Sequence, residues 1–103
     1  MEKKIEKLLK EIAEVKMELS EIGSFRPGNL TRQYHDPARK RGGYFQLSYT
    51  YRMKSKSEYV RPSSYSRIKK ETMAYRKFRK LVSRWLELEI ELSKTRAAIE
   101  KQI

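Results

Sequence analysis

Basic side chains interleaved with tyrosines fill the middle of this 103-residue chain, and their chemistry is the most informative in the sequence. Residues 24–80 contain sixteen basic and three acidic residues, a net charge of +13, while the whole chain carries +12. Guanidinium and ammonium groups bind phosphate oxygens, and tyrosine rings stack on nucleic-acid bases. Because the charge excess is concentrated in one region, it predicts a surface that binds a polyanion.

Eleven basic residues of this region are the candidate phosphate contacts, and Tyr44 is the candidate for a ligand-facing ring. Phosphate contacts supply affinity and register without sequence preference. For the basic run at residues 39–41 the alternative is a solvated loop, and for residues 26–29 it is a plain chain reversal. The predicted nucleic-acid-binding residues are Arg26, Arg32, Arg39, Lys40, Arg41, Tyr44, Arg52, Lys54, Lys56, Arg67, Lys69 and Lys70.

Two long helices are predicted to hold these residues in place. Residues 2–22 contain no Gly or Pro, and their apolar residues recur alternately three and four positions apart, the spacing of a coiled-coil seam. Gly23 is expected to end this helix. A second helix with the same spacing is expected over residues 63–102. The seam positions are Ile5, Leu8, Ile12, Val15, Leu19 and Ile22, then Ala74, Phe78, Leu81, Trp85, Leu88, Leu92, Thr95 and Ile99.

Between the helices, the chain is predicted to turn and then form a loop. Pro27 followed by Gly28 is the residue choice of a type II turn. Residues 30–34 are predicted to add a helical turn, with Asn29 as its cap. The Pro and Gly content of residues 35–43 predicts a loop that carries the basic run.

Alternating side chains predict a β-hairpin after this loop. Residues 44–53 alternate between apolar and polar, residues 54–57 are the expected turn, and residues 58–61 are the expected return strand. The predicted fold is mainly α with a small β-hairpin. Its N-terminal helix and long C-terminal helix form an antiparallel coiled coil around the central basic loop and hairpin. We expect a single domain, residues 1–103, made of helix 2–22, the basic segment 24–62 and helix 63–102, which is basic in its first half.

The composition argues against catalysis, a metal site and a membrane span. The absence of cysteine excludes disulfides and thiolate zinc sites. The single histidine, His35, lies beside Asp36 without further ligands in view. Few carboxylates lie outside the charge-balanced end segments, so we expect a non-enzymatic protein without cofactor or metal. No apolar stretch resembles a signal peptide or a membrane span, so a cytoplasmic location is expected.

Three runs of the sequence, RPGNLTRQY from Arg26, YFQLSYTY from Tyr44 and YRKFRKLVSRW from Tyr75, resemble a widespread family of small prokaryotic proteins catalogued as a domain of unknown function. The resemblance covers nearly the whole chain. It implies the same order of helix, Arg-Pro-Gly turn, hairpin and long helix. Many members carry a cysteine-rich knuckle before the hairpin, which implies metal binding there, whereas this chain has residues 35–43 at that place and no cysteine.

The sequence therefore predicts a small nucleic-acid-binding protein, with DNA preferred to RNA because a basic ribbon and a long helix suit a duplex. A helix that is apolar on two sides usually has two neighbours, so second apolar stripes predict a homodimer through the helices. The alternative function is an interaction module, either a coiled coil that docks onto another protein or a small subunit of a larger nucleic-acid-processing complex. The second stripes are Leu9, Ala13 and Met17 in the first helix and Val82, Leu86 and Ile90 in the second.

Overall fold

The fold is mainly α-helical with a small antiparallel sheet, as predicted, but the sheet has three strands instead of two. A computed structural model describes residues 2–102, and Met1 and Ile103 of the predicted domain lie outside the described residues. In chain order, the elements are α1 (Glu2–Ser20), β1 (Asn29–Asp36), β2 (Arg41–Tyr51), β3 (Lys54–Val60), a 3-10 turn (Pro62–Ser64) and α2 (Tyr65–Glu100).

The chain divides into two compact units. The helical unit combines α1 with the part of α2 from Lys77 onward, and the sheet unit runs from Gly23 to Arg76. Helix α2 therefore contributes residues 65–76 to the sheet unit and residues 77–100 to the helical unit. That the whole chain forms a single domain stays a prediction.

Apolar residues at the predicted seam positions form the core of the helical unit. Two ion pairs flank this core: Lys4 Nζ lies 2.6 Å from Glu91 Oε1, and Arg84 Nη2 lies 3.3 Å from Glu11 Oε2. Because the earlier residue of α1 pairs with the later residue of α2, the two helical stretches run in opposite directions. The buried core residues are Leu8, Ile12, Val15, Leu81, Leu88 and Leu92, with Ile5, Leu19, Ile22 and Trp85 packed against them.

Helix α1 ends at Ser20. Contrary to the prediction, Gly23 is not its C-terminal cap. Gly23 has no positive φ, so the left-handed cap is absent. Instead, the N–H groups of Glu21 and Ile22 each bond to the carbonyl three residues earlier at 3.2 Å, and the Ser20 hydroxyl donates to the Met17 carbonyl at 2.6 Å. These bonds satisfy carbonyls that the end of a helix leaves without partners.

A buried leucine, Leu47, is the centre of the sheet unit. The strands lie in the order β1-β2-β3, all antiparallel, and Leu47 has no exposed surface. One face of the sheet, the core face, packs against Ile68 of α2. The buried residues of this cluster are Leu47, Val60 and Ile68, with Leu30, Phe45 and Tyr49 packed against them.

The opposite face of the sheet, the open face, bears polar and aromatic side chains. Strand register and alternation place residues on the same face when they pair directly, as Thr31 does with Gln46 and Gln46 with Tyr59. The polar alternation predicted for residues 44–53 is therefore confirmed from Tyr44 to Thr50, whereas Arg52 lies in the turn after β2. The open-face residues with side chains are Asn29, Thr31, Gln33 and His35 of β1, Tyr44, Gln46, Ser48 and Thr50 of β2, and Ser55, Ser57 and Tyr59 of β3.

Strand β1 occupies the place of the helical turn and part of the loop that the sequence predicted. It pairs with β2 from Asn29–Ser48 to Asp36–Arg41, which leaves only residues 37–40 as the turn. The helical turn expected at residues 30–34 is wrong, because pairing with β2 satisfies the backbone of these residues in an extended conformation. The loop expected at residues 35–43 is wrong at both ends for the same reason.

The turn between β2 and β3 lies at Arg52 and Met53, earlier than the predicted turn at residues 54–57. Tyr51 pairs with Lys54, so the turn has two central residues, and their φ angles are +51° and +66°. Positive φ at both positions is the geometry of the type I′ turn, whose usual signal is Asn-Gly or Asp-Gly. Because the Asn-Gly or Asp-Gly signal is absent, the sequence pattern predicted the turn too far along the chain and a return strand shorter than β3.

Gly28 allows the chain to enter β1 directly against the core. Its φ is +142°, which is positive but well beyond the value of about +80° for the predicted type II turn, and the chain only bends there. A Cβ on this residue would lie 2.7 Å from Leu47 Cδ1 and 3.1 Å from the Ser48 carbonyl oxygen. Glycine is therefore required both for the backbone angle and for the close approach.

Replacing the buried Leu88 with alanine should destabilise the helical unit. Leu88 is 3% exposed, and truncation of a buried leucine costs about 2–5 kcal/mol, whereas Glu89→Ala at an exposed neighbouring position should cost less than about 0.5 kcal/mol. The single tryptophan, Trp85, lies in this unit, so denaturant unfolding followed by its fluorescence measures both values. Equal free energies of unfolding for the two variants would contradict the assigned core.

Candidate functional site

The sheet unit holds most of the positive charge excess of the chain. Residues 23–76 contain thirteen basic and three acidic residues, which is +10 of the net charge of +12. All twelve predicted binding residues and all seven tyrosines lie in this unit. The structure therefore brings the predicted residues into one compact unit, although not into one cluster.

Each carboxylate of the sheet unit is already bonded within it. Glu58 forms an ion pair with Arg26, and both carboxylate oxygens of Glu71 accept hydrogen bonds from Arg67, at 3.2 Å and 3.0 Å. The Asp36 carboxylate accepts a backbone N–H from the turn that follows it, at 3.4 Å. The other eleven basic residues of the unit form no ion pair with a carboxylate among residues 2–102. Their charge is left without local compensation.

Arg26 is engaged with other residues of the sheet unit. Its Nη2 lies 2.5 Å from Glu58 Oε2, its guanidinium lies 5.2 Å from the centre of the Tyr49 ring, and the Tyr49 hydroxyl donates to Glu58 Oε1 at 3.0 Å. The hydrogen bond to Glu58 raises the pKa of Arg26, and the same bond, with that from Tyr49, lowers the pKa of Glu58. Phosphate binding by Arg26 stays a prediction, and it would compete with this ion pair.

Three consecutive basic residues, Arg39, Lys40 and Arg41, occupy the turn between β1 and β2, and we refer to them as the basic turn. All three are exposed. Lys40 has a φ of +53°, and Arg41 is the first residue of β2, opposite Asp36. The turn therefore presents adjacent cations at one end of the sheet.

A second group of cations, Arg52, Lys54 and Lys56, lies around the turn between β2 and β3, and we refer to it as the hairpin tip. The Arg52 guanidinium lies 5.3 Å, and the Lys56 Nζ 6.0 Å, from the centre of the Tyr51 ring. The basic turn and the hairpin tip lie at opposite ends of β2. At about 3.3 Å per residue they are about 33 Å apart, a length over which one strand of a DNA duplex carries about ten phosphates.

The remaining predicted cations have varied surroundings. The Arg32 guanidinium lies on the core-face side, 5.6 Å from the Tyr34 ring and 5.7 Å from the Phe45 ring. On α2, Lys69 Nζ lies 5.9 Å from the ring of Tyr65, Arg67 pairs with Glu71, and Lys70 is exposed. Nothing in these contacts assigns or excludes a role in binding, so these residues stay predictions.

Tyr44 lies on the open face, as the alternation of β2 predicted, between two rings that the sequence did not identify as functional. Its ring centre is 4.8 Å from that of His35 and 6.3 Å from that of Tyr59. His35 was missed because it was assigned to a loop. Tyr59 was missed because its strand was predicted too short to show which face it occupies.

A shallow groove of about 630 Å³ lies at the β2–β3 end of the open face. The Arg76 Nη2 donates to Asn29 Oδ1 at 3.2 Å at its margin, and Arg76 is a further cation that the sequence did not single out. Hydroxyl and amide groups line the rest of the groove and can donate or accept hydrogen bonds. The lining includes Asn29, Gln46, Ser48, Thr50, Lys56 and Arg76.

The segment where the resemblance implies metal binding does not fit a metal ion. The His35 ring packs on Tyr44, and the Asp36 carboxylate accepts a backbone N–H. No group of three or more His, Cys, Asp or Glu side chains suited to a metal ion occurs within residues 2–102. Neither of the described helices has a stretch that is both long and apolar enough to cross a bilayer.

The stability of the sheet unit should fall as the pH drops below the ordinary titration range of glutamate. Because Glu58 has a lowered pKa in the folded state, its stabilisation is complete above the unfolded pKa of about 4.3 and is lost as the pH falls through the folded value. Glu58→Gln should cost about 0.2–1 kcal/mol at neutral pH, since the side chain is 43% exposed, and should reduce this pH dependence.

Thermal unfolding followed by near-ultraviolet circular dichroism of tyrosine reports on the sheet unit, which contains every tyrosine. Glu18→Gln removes an equal charge from α1 and is the control. If the Glu58→Gln and Glu18→Gln proteins kept the same pH dependence, the ion pair would not be the cause.

Comparison of the chain with protein-family models, curated proteins and solved structures finds no match. Membership of the family that the chain resembles in three runs stays a prediction. What the chain binds is therefore inferred from its own residues.

Proposed function

We propose that the chain is a small, non-enzymatic nucleic-acid-binding protein that contacts phosphate groups through the basic turn and the hairpin tip. The observation that carries this proposal is the charge arrangement of the sheet unit. Its three carboxylates are bonded internally, and eleven of its thirteen cations have no carboxylate partner within the described residues. A polyanion compensates such a surface and releases its own counterions on binding.

DNA is proposed ahead of RNA as the ligand. The pairing of β1 with β2 begins at Asn29–Ser48. Strands β2 and β3 continue past that point, as far as the Tyr51–Lys54 pair, without a third strand beside them. The hairpin tip is therefore a two-stranded basic ribbon, and the major groove of B-DNA admits a ribbon of that width. Tighter binding of a structured RNA than of DNA would reverse this preference.

The helical unit is proposed to be a coiled coil that pairs with a second copy. Its core follows the predicted heptad spacing, and large apolar side chains remain exposed on a second stripe. A four-helix arrangement of two copies would bury this stripe and double the basic surface. The exposed side chains are Leu9, Met17, Val82, Leu86 and Ile90.

Neutralising the basic turn should weaken nucleic-acid binding and its dependence on salt. The variant Arg39→Gln/Lys40→Gln/Arg41→Gln removes three exposed charges, and each lost phosphate contact should lower the log–log salt slope by about 1. Fluorescence anisotropy with labelled duplex DNA across a salt series measures both quantities, and circular dichroism checks the fold.

The matched control for this experiment removes the same charge from the helical unit. Lys94, Arg96 and Lys101 are exposed near the end of α2, and Lys94→Gln/Arg96→Gln/Lys101→Gln should leave the slope nearly unchanged. An equal loss in both variants would show that net charge, and not the basic turn, determines binding. No measurable binding by the unaltered protein at low salt would refute the proposed function.

Placing a charge on the second stripe should abolish the homodimer. Leu86 is 61% exposed, so Leu86→Glu should not disturb the core of the helical unit but should oppose burial against a second copy. Sedimentation equilibrium should give twice the 12.4 kDa chain mass for the unaltered protein and the chain mass for the variant. Lys94→Glu, at an exposed position on α2, is the control. A monomeric unaltered protein would favour the interaction-module alternative.

A further inference from the structure

Three aromatic rings form a line across the open face of the sheet, one from each strand. The ring centres of His35 and Tyr44 are 4.8 Å apart with planes tilted by 31°, and those of Tyr44 and Tyr59 are 6.3 Å apart with planes tilted by 42°. Because β1 and β3 are the two edge strands, the line extends from one edge of the sheet to the other. We refer to these three rings as the aromatic strip.

The strip is exposed at both of its ends. His35 is exposed and Tyr59 is 64% exposed, while Tyr44 is half-buried between them. The packing of the sheet on α2 uses the core face, which leaves these rings on the other side. A further planar group can therefore extend the line of rings beyond either edge strand.

Gly42, directly after the basic turn, makes room for this arrangement. A Cβ on Gly42 would lie 2.9 Å from His35 Cδ2, so the His35 ring lies over a strand position that has no side chain. Gly42 also has a φ of +67°, which a larger residue adopts at a cost. Gly42 is part of β2 and not of the loop expected from the sequence, and the absence of a side chain there leaves space for the His35 ring.

The aromatic strip and the basic turn lie at the same end of the sheet. Arg41 begins β2, and Tyr44 follows three residues later, about 10 Å along the strand. His35 precedes the turn by a similarly short interval. Phosphates bound at the turn would therefore place the attached bases within reach of the rings.

We infer that the open face binds unpaired bases of single-stranded nucleic acid, which stack on His35 and Tyr59 at the two ends of the aromatic strip while the basic turn holds the flanking phosphates. This inference rests on the proposed function and adds single strands to the duplex ligand proposed there. Aromatic rings beside a positively charged track are the combination by which proteins bind single strands without sequence preference. In a duplex the bases stack on one another and present only their edges, so the rings gain nothing from a paired ligand.

Cross-strand packing of the three rings also contributes to the stability of the sheet. That contribution alone does not require the exposed position of Tyr59 or a basic turn beside the rings. The two roles are separated by a substitution that removes the ring and leaves an apolar side chain able to pack on the sheet. Leucine meets this condition at positions 35 and 59.

The test compares three labelled ligands of about 16 nucleotides, which is the upper end of single-strand site sizes: oligo(dT), oligo(rU) and a DNA duplex. In fluorescence anisotropy, His35→Leu and Tyr59→Leu should each weaken binding of a single strand about 5- to 150-fold, since stacking of one base on an aromatic side chain contributes that factor. Binding of the duplex and the salt slope should not change. The ratio of the oligo(dT) and oligo(rU) affinities shows which single strand is preferred.

Two further variants keep this test independent of folding. Tyr59→Phe retains the ring and should keep the affinity for single strands. Phe25→Leu removes an aromatic ring that is 46% exposed in the same unit but lies before β1, where it stacks on Tyr75 at 5.8 Å, and it should also keep that affinity. Far-ultraviolet circular dichroism and thermal unfolding establish that each variant is folded.

The outcomes separate this inference from the proposed function. If the unaltered protein binds duplex while the ring variants bind single strands as tightly as Phe25→Leu does, the inference is wrong and the proposed function stands. If Tyr59→Phe loses as much affinity as Tyr59→Leu, the hydroxyl and not the ring is responsible, and the stacking role is likewise wrong. If the unaltered protein binds none of the three ligands at low salt, the proposed function fails and the inference fails with it.

Discussion

The sheet unit depends on the packing of Leu47 between the sheet and α2. Burial of a leucine contributes about 1.5–3 kcal/mol, and Leu47 has no exposed surface. Two strands alone are not stable in water. The close approach of Gly28 to Leu47 allows β1 to pair as a third strand. Val60 and Ile68 are buried with Leu47 in the core of the sheet unit. The core face is therefore committed to packing, and we propose that polar and aromatic residues of the open face contact the ligand.

The charges of the sheet unit are divided between structure and surface. On the core-face side of the sheet, the Glu58 carboxylate bonds to both Arg26 and Tyr49. The Glu71 carboxylate pairs with Arg67, and the Glu71 backbone carbonyl accepts a hydrogen bond from the Arg26 backbone N–H. With the Asp36 carboxylate bonded to the turn that follows it, all three acidic residues of the unit are engaged, and the net charge of the unit is +10. Such an excess destabilises a compact state by self-repulsion, and a bound polyanion removes that cost. This charge excess favours a polyanion as the proposed ligand and predicts that its affinity falls strongly as the salt concentration rises.

We propose binding to nucleic acid ahead of catalysis because the predicted residues form an extended surface and not a convergent pocket. The basic turn and the hairpin tip lie about 33 Å apart along β2, and the groove between β3 and Arg76 is shallow. General acid–base chemistry needs titratable groups that converge on one substrate atom. The aromatic strip adds a feature that a purely electrostatic surface lacks, since ring faces distinguish an unpaired base from a paired one.

Local patterns in the sequence determined the two helices, the seam residues that are buried in the helical unit, the alternation of β2 through Tyr49 and the location of the charge excess. Each of these depends on periodicity or composition, which can be counted along the chain. Tertiary structure decided the rest. Strand β1 is extended because β2 pairs with it, although its own residues carry no strong strand pattern. The Arg52–Met53 turn has positive φ angles without the usual residues, because strand pairing imposes them. The line formed by His35, Tyr44 and Tyr59 exists only once three strands are in register, since residues far apart in sequence become neighbours only through non-local pairing.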